Sequence, residues 1–450
     1  MPHAKKIFLV LALVLVFAGI HASDTIAKEE TQKHFSNNEE VAINLDLPFE
    51  EIGQVIRVDL GNDGTEEIIV SAGFDESPTV AVLREDGSRI GDFLAFMPEY
   101  KRGVTVTAGN VDEDPTIEII TSTMSGGGPH VRVYDAYGEL ENQFFAYNQA
   151  FKGGVNLTTA DIDGDGIDEI ITAAGLEGGP HVRAVRPDGR LIAEFFAFDA
   201  TDRAGVSVTH IDENGDGRDE LVVSHFGHGA PEARIVRFDF KNNAALSIPF
   251  KLYDDYEYGT SLFSVDDKTF GAAPNGNNGP HVRMFNTDGI PVSNRMVFDD
   301  DHARVHAAAT SPDDLIVATA RPVLSSRLDK HIFVNLDEQR LYALDDGVIQ
   351  KTYLISSGKW PFRTPTGDFE VMRKLRWHDY VWSYGKDDVR NYNLPNVEYN
   401  LEFTRHFYIH HAYWHNNWGN PMSHGCVNAP YEGVEWTFNW AEVGTPVVVS

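Results

Sequence analysis

Gly127-Gly128-Pro129-His130-Val131-Arg132 returns about 51 residues later as Gly178-Gly179-Pro180-His181-Val182-Arg183. A third copy is Asn278-Gly279-Pro280-His281-Val282-Arg283, and weaker versions centre on Pro78 and Pro231. Other columns keep the same register. Glu67, Glu118, Glu169 and Glu220 precede Ile-Ile-Val, Ile-Ile-Thr, Ile-Ile-Thr and Leu-Val-Val, and Phe144-Phe145-Ala146-Tyr147 matches Phe195-Phe196-Ala197-Phe198. A unit of this length, with Asp188-Gly189 and Asp288-Gly289 as turn signals, holds about four short strands, which is one propeller blade. Leu315-Ile316-Val317-Ala318 repeats the apolar strand without the Pro-His-Val-Arg strand. Such a partial end unit suits ring closure, which removes exposed sheet edges. The sequence therefore predicts a mainly β fold: a repeat β-propeller of about five blades over 49–325, with six allowed, then a small β-rich domain over 329–450. A β-solenoid is the alternative. The repeated His and Arg are expected to serve packing between units, because a ligand site tends to break a repeat.

Each repeat also carries an acidic turn. In Asp161-Ile162-Asp163-Gly164-Asp165-Gly166-Ile167-Asp168-Glu169, alternating Asp supplies hard oxygen donors, glycine permits the sharp bend, and the final carboxylate can close a cage. Asp212, Asn214, Asp216 and Glu220 repeat the pattern. The first loop has Gly61 at a donor position, and the second has Pro115 in place of the turn glycine. This spacing resembles the calcium loops of FG-GAP and VCBS-type propeller repeats. The resemblance implies structural Ca2+ held by Asp161, Asp163, Asp165 and Glu169, and by Asp212, Asn214, Asp216 and Glu220. Without an ion the same pattern makes Asp/Gly-rich β-turns.

Charge narrows the partners. Asp and Glu number 68 against 37 Lys and Arg, a net charge of -31, so nucleic acid is not an expected ligand. A single Cys excludes an intrachain disulfide. Lys5-Lys6, the apolar run Ile7 to Ile20, and then Ala22 and Ser23 form an export-signal pattern too short for an ordinary span. Ile20 and His21 give a poor cleavage site, so 1–23 is expected to be a signal peptide or an uncleaved N-terminal anchor. Either places the chain in the periplasm, wall or cell surface. The polar stretch 24–48 is expected to be a flexible linker.

Composition changes near Asp329. His331–Asn335, Arg340–Leu344 and Val348–Ser356 are strand-like, with Asp346-Gly347 as a hairpin turn. A helix is expected near Tyr431–Ala441, with Pro430 at its first turn. The lone Cys426 lies in Ser423-His424-Gly425-Cys426-Val427-Asn428, after the cluster Ile409-His410-His411-Ala412-Tyr413-Trp414-His415. A thiol among imidazoles points to nucleophilic catalysis. An unperturbed thiol is only a few per cent ionised at neutral pH, and an imidazolium that lowers its pKa by about two units makes it mostly thiolate. Thiolate attack on an amide carbonyl gives an acyl-enzyme. Backbone N–H groups near Gly425 and Cys426 are the expected oxyanion donors.

The segment 330–450 resembles the L,D-transpeptidase (YkuD) catalytic domain. The likeness rests on Asn335 to Leu341, Ser356-Ser357-Gly358, Thr364-Pro365-Thr366-Gly367, Ile409-His410 and the Ser-His-Gly-Cys segment, in that order. It implies Cys426 as nucleophile, His410 as base and His411 as the residue whose carbonyl orients that base. Ser423, His424, Gly425 and Asn428 fill the signature around the thiol. The gap between His410 and Ser423 is slightly shorter than the family's usual range. The implied reaction takes a peptidoglycan stem tetrapeptide, releases D-Ala and passes the acyl group to an amine, with no cofactor. Three alternatives stand beside it: a thiol carboxypeptidase using water, a surface-binding propeller whose C-terminal domain only anchors to the wall, and zinc on Cys426 with His410, His411, His415 or His424. The propeller is expected to hold wall polymer or a surface protein.

Overall fold

The structure is a computed structural model, and it describes residues 32–450 except 37–38, 42, 240–243, 255, 257, 277–280, 299–303, 321–328, 383–384 and 386–390. The expected signal or anchor at 1–23, and residues 278–280 of the third motif copy, lie outside the described residues. Gln32–Ser450 forms one compact unit. Among the described residues it is mainly β, with one α-helix.

Six antiparallel sheets precede the C-terminal domain, and none shares a strand with another. One is built from Val155–Ala160, Glu169–Ala174, His181–Val185 and Leu191–Phe196, in that order. Glu169–Ala174 is buried at every position, whereas Leu191–Phe196 is largely open. A continuous apolar run such as Ile170-Ile171 fits a strand covered on both faces, and the polar outer strand fits an edge. Each sheet begins with a leading strand: Ile52–Val58, Val104–Gly109, Val155–Ala160, Val206–Ile211, Thr260–Asp266 and Arg304–Ser311. Each leading strand packs beside the next, and Arg304–Ser311 packs beside Ile52–Val58.

Side chains at matching repeat positions join these strands. Gln54 Oε1 accepts from the Val106 N–H, and Thr105 Oγ1 donates to the Val155 carbonyl. Asn156 Nδ2 donates to the Val206 carbonyl, and Ser207 Oγ accepts from the Leu262 N–H. The Pro-His-Val-Arg motif has an equally physical use. Proline cannot donate to a ladder, so it opens its strand. The carbonyls of Pro78, Pro129, Pro180 and Pro231 accept from Ala95, Ala146, Ala197 and Leu252. Arg132, Arg183 and Arg283 donate to the carbonyls of Ala95, Ala146 and Leu252 and lie over the rings of Phe96, Tyr147 and Tyr253.

Two expectations need correction. The stretch 24–48 is not a linker throughout, because Gln32–Ser36 and Glu39–Val41 are strands. They pair with Asp314–Ala320 and complete a sheet whose remaining strand is Arg304–Ser311. Ladder bonds and the burial of Phe35 supply what the polar composition hides. The sheets before the C-terminal domain accordingly number six among the described residues, five of four strands and one of five, which is the allowed six rather than the favoured five, and the sixth is shared between the two ends of the repeat region.

The C-terminal domain holds two sheets and the helix. One sheet runs Val348–Leu354, Arg340–Asp345, His331–Asn335, Pro446–Val449, Gly367–Glu370; the other runs Arg373–Trp382, Tyr392–Thr404, Phe407–His411, Val427–Ala429. Ile332, Val334, Leu401, Phe403, Ile409, Val427 and Val447 form the core between them, and helix Tyr431–Trp440 adds Val434. The hairpin turn at Asp346 and Gly347, both at positive φ, meets the repeat region. Asp346 pairs with Arg102, its carbonyl accepts from Ser125 Oγ, and Val348 packs with Phe74 and Leu176.

Candidate active site

Strands Phe407–His411 and Val427–Ala429 run parallel, with Ile409 opposite Val427 and His410 opposite Asn428. Cys426 directly precedes the second strand. Its side chain and that of His410 therefore come from neighbouring strands two register positions apart, the offset at which side chains share a face. Cys426 is partly exposed. Its thiol faces the His406 carbonyl, 3.9 Å away.

His410 is buried, and its Nδ1 lies 2.8 Å from the His411 carbonyl. A carbonyl only accepts, so Nδ1 carries the proton and Nε2 keeps the lone pair. The ring is flanked by Tyr380 at 4.8 Å and Trp414 at 5.8 Å. Burial dominates the titration of both groups. It pushes His410 down to about 4, the His411 carbonyl opposing, and pushes the Cys426 thiol up to about 11, the Tyr408 backbone opposing. Burial thus works against both members of the expected thiolate–imidazolium pair. The physical reason is that desolvation penalises both charged forms.

The loop bearing the thiol is built by its own signature. Gly425 sits at φ 116, and a Cβ there would lie 2.4 Å from Phe407 Cε1, so only glycine lets the chain pass. Ser423 Oγ accepts from the Gly425 N–H at 3.0 Å and donates to the Cys426 carbonyl. The Gly425 N–H is therefore already engaged, which removes it from the expected oxyanion donors and leaves the Cys426 N–H. His424 lies against Phe362, with ring centroids 4.8 Å apart and the planes tilted by 47°. Asn428 exchanges backbone bonds with Ser356 and places Nδ2 3.0 Å from His415 Nε2.

Several supporting residues carry no chemical label in the sequence. Gln339 brackets Ser357 with bonds of 2.8 and 2.9 Å, and the Ser357 carbonyl accepts from the N–H groups of Met422 and Ser423. Glu402, paired with Arg373, accepts from the His406 N–H and so fixes the turn whose carbonyl meets the thiol. The first group falls in the Asn335 to Leu341 and Ser-x-Gly stretches of the family pattern, which carried no role for it; nothing in the spacing pointed to the second.

The acidic loops are braced by their own leading carboxylates. Asp161 accepts from the N–H groups of Gly164, Asp165 and Gly166, and Asp212 accepts from those of Gly215, Asp216 and Gly217. Both carboxylates thereby turn inward to hold their own loop. Oxygens of Asp161, Asp163 and Glu169 do converge within 4.8 Å, as do those of Asp112, Glu118 and Glu141. The Arg186 guanidinium, however, contacts Asp163, Asp165 and Glu169. The carboxylates of the third loop are thus paired with Arg186 while three of their oxygens still converge as those of a metal group would. Asp212, Asp216 and Glu220 form no such group. Among the described residues no metal-like cluster contains Cys426.

Residues 329–449 match the YkuD family, the L,D-transpeptidase catalytic domain. Over 120 residues the chain is 31% identical to probable L,D-transpeptidase 3 of Mycobacterium tuberculosis, which covers 24% of this chain and 41% of the relative. The chain thus spans about two fifths of the length of that curated relative. Similar solved structures include the catalytic domain of an E. faecium L,D-transpeptidase, at 30% identity, 28% of this chain, 100% of that chain and a TM-score of 0.25. Another is L,D-transpeptidase 3 of Mycobacterium tuberculosis with a faropenem-derived adduct, at 22% identity, 31% of this chain, 74% of that chain and a TM-score of 0.26.

Proposed function

We propose that this chain is an exported peptidoglycan L,D-transpeptidase. Cys426 attacks the carbonyl of the third stem residue while His410 Nε2 takes its proton, so that thiolate forms only as the bond is made. The Cys426 N–H donates to the oxyanion. The His410 imidazolium then protonates the leaving D-Ala amine. A second amine enters, loses its proton to the regenerated imidazole and takes the acyl group. The observation that supports this most is the parallel pairing that sets the partly exposed Cys426 beside the strand carrying a tautomer-locked His410.

The six sheets, taken as a six-bladed propeller, are proposed to place this site against wall polymer or a surface protein. Incubation with disaccharide-tetrapeptide, followed by mass spectrometry, tests the chemistry. The expected product is a Cys426 adduct lacking D-Ala that is consumed by an added amine. Consumption by water alone gives the carboxypeptidase, and unmodified substrate after prolonged incubation rejects both.

A further inference from the structure

We propose that the space enclosed by the six leading strands binds a small carboxylate anchored by Arg304. The cavity measures about 440 Å³ and is lined by all six strands, with Gln54, Thr105, Asn156, Ser207, Ser261 and His306 among the lining residues and Arg304, Arg57 and Asp168 as the charged groups on its wall. That volume falls in the range of small-ligand pockets. Arg304 is buried, and its known donors go to neutral groups: Nε to Asn275 Oδ1 at 3.0 Å and Nη2 to Ser261 Oγ at 3.1 Å. Its guanidinium lies over Phe226. Among the described residues no carboxylate pairs with it.

The contrast with other arginines is informative. Arg57 has Glu66 and Asp314, and Arg186 has three carboxylates. A buried cation without a counterion is costly. Arg57 lines the same cavity but brings its own carboxylates, whereas Arg304 faces it with none among the described residues, and an anion there supplies what the chain does not. His306, two residues on and on the same face of the strand, is also buried, and its Nε2 has no partner. Burial and the Arg304 charge hold that imidazole neutral, so it can offer an N–H beside the guanidinium. A planar fork plus one further donor matches a carboxylate. Val348 of the C-terminal domain lines the same cavity, so the ligand would lie beneath the catalytic domain's hairpin.

Thermal unfolding and titration calorimetry of the full chain, in acetate, succinate, phosphate or chloride at constant ionic strength, test this. Acetate or succinate at about 20 mM is expected to raise Tm by roughly 2–4 °C in a saturable way, with chloride inert. Arg304→Met is expected to abolish the response. Should that variant fail to fold, His306→Leu serves, with an expected tenfold loss of affinity. The proposal is overturned if no carboxylate gives saturable binding, if only phosphate does, or if the folded variant binds as the unsubstituted chain does.

Discussion

Thr105 and His410 are both polar side chains on buried strands, and each is satisfied by one backbone carbonyl. Thr105 does so as one of four side chains, with Gln54, Asn156 and Ser207, that join successive leading strands. His410 does so once, and its remaining nitrogen is left for chemistry. The repeat region therefore spreads its hydrogen-bonding over copies, and the C-terminal domain concentrates its own in single residues. Loss of one copy should cost a little stability and no activity. Loss of a single-use residue should do the reverse.

The sharpest break in that comparison is Cys426→Ala. Acyl-enzyme formation should fall by roughly 10⁴-fold or more, with Tm nearly unchanged. His410→Gln keeps a polar ring-sized group but no base, and should cost roughly 10²–10⁴-fold. Mass-spectrometric adduct formation and a melting curve measure both arms. A Cys426→Ala protein that still releases D-Ala would remove the thiol from the mechanism.

The pH profile tests the neutral pair. The imidazole must be unprotonated to accept the thiol proton, and burial holds its pKa near 4. The thiol stays protonated until about 11. Single-turnover acylation should therefore be flat from mildly acidic to alkaline pH, and decline about tenfold per unit only below about pH 4. A thiolate–imidazolium pair would instead lose activity on the alkaline side as the imidazolium deprotonates. A descending limb between about pH 6 and 8 would restore that older expectation.

How much of this was legible differs between the two regions for physical reasons. The repeat was readable because four copies bury a similar, mostly apolar triplet after a recurring Glu and the proline recurs just before a strand. The strand Gln32–Ser36 was not, because its one buried apolar residue is Phe35 and its partner strand lies at Asp314–Ala320, far along the chain. That the segments carrying Cys426 and His410 would lie side by side was legible from residue order. Their charge state was not, because desolvation comes from surroundings such as Tyr380 and Trp414, which spacing does not report. Arg186 was likewise invisible as the cation of the third loop, since it approaches from the next strand but one.

Gly425→Ala tests whether the thiol loop tolerates a side chain. The new Cβ would meet Phe407 and occupy a positive-φ backbone, at a cost of roughly 1–3 kcal/mol. Displacement of the adjacent Cys426 should reduce acylation at least tenfold, by the steep dependence of rate on geometry. Normal acylation in this variant would show that the Phe407 contact does not position the thiol.

The smallest effect belongs to the repeat. Asn156→Ala removes one donor to the Val206 carbonyl at 2.7 Å and leaves that acceptor without its side-chain partner. The loss should be about 1 kcal/mol, which lowers Tm by roughly 1–3 °C, because the leading strand keeps its own ladder. Acylation should be unchanged, since no atom of Asn156 reaches the catalytic domain's loop. Asn156→Asp is the stricter variant: it keeps the size but turns the donor into an acceptor facing a carbonyl. It should therefore cost more than Asn156→Ala while still sparing activity. Equal melting temperatures for the two would mean that this bond does not join the strands, and the distinction between shared and single-use polar groups would lose its support in the repeat.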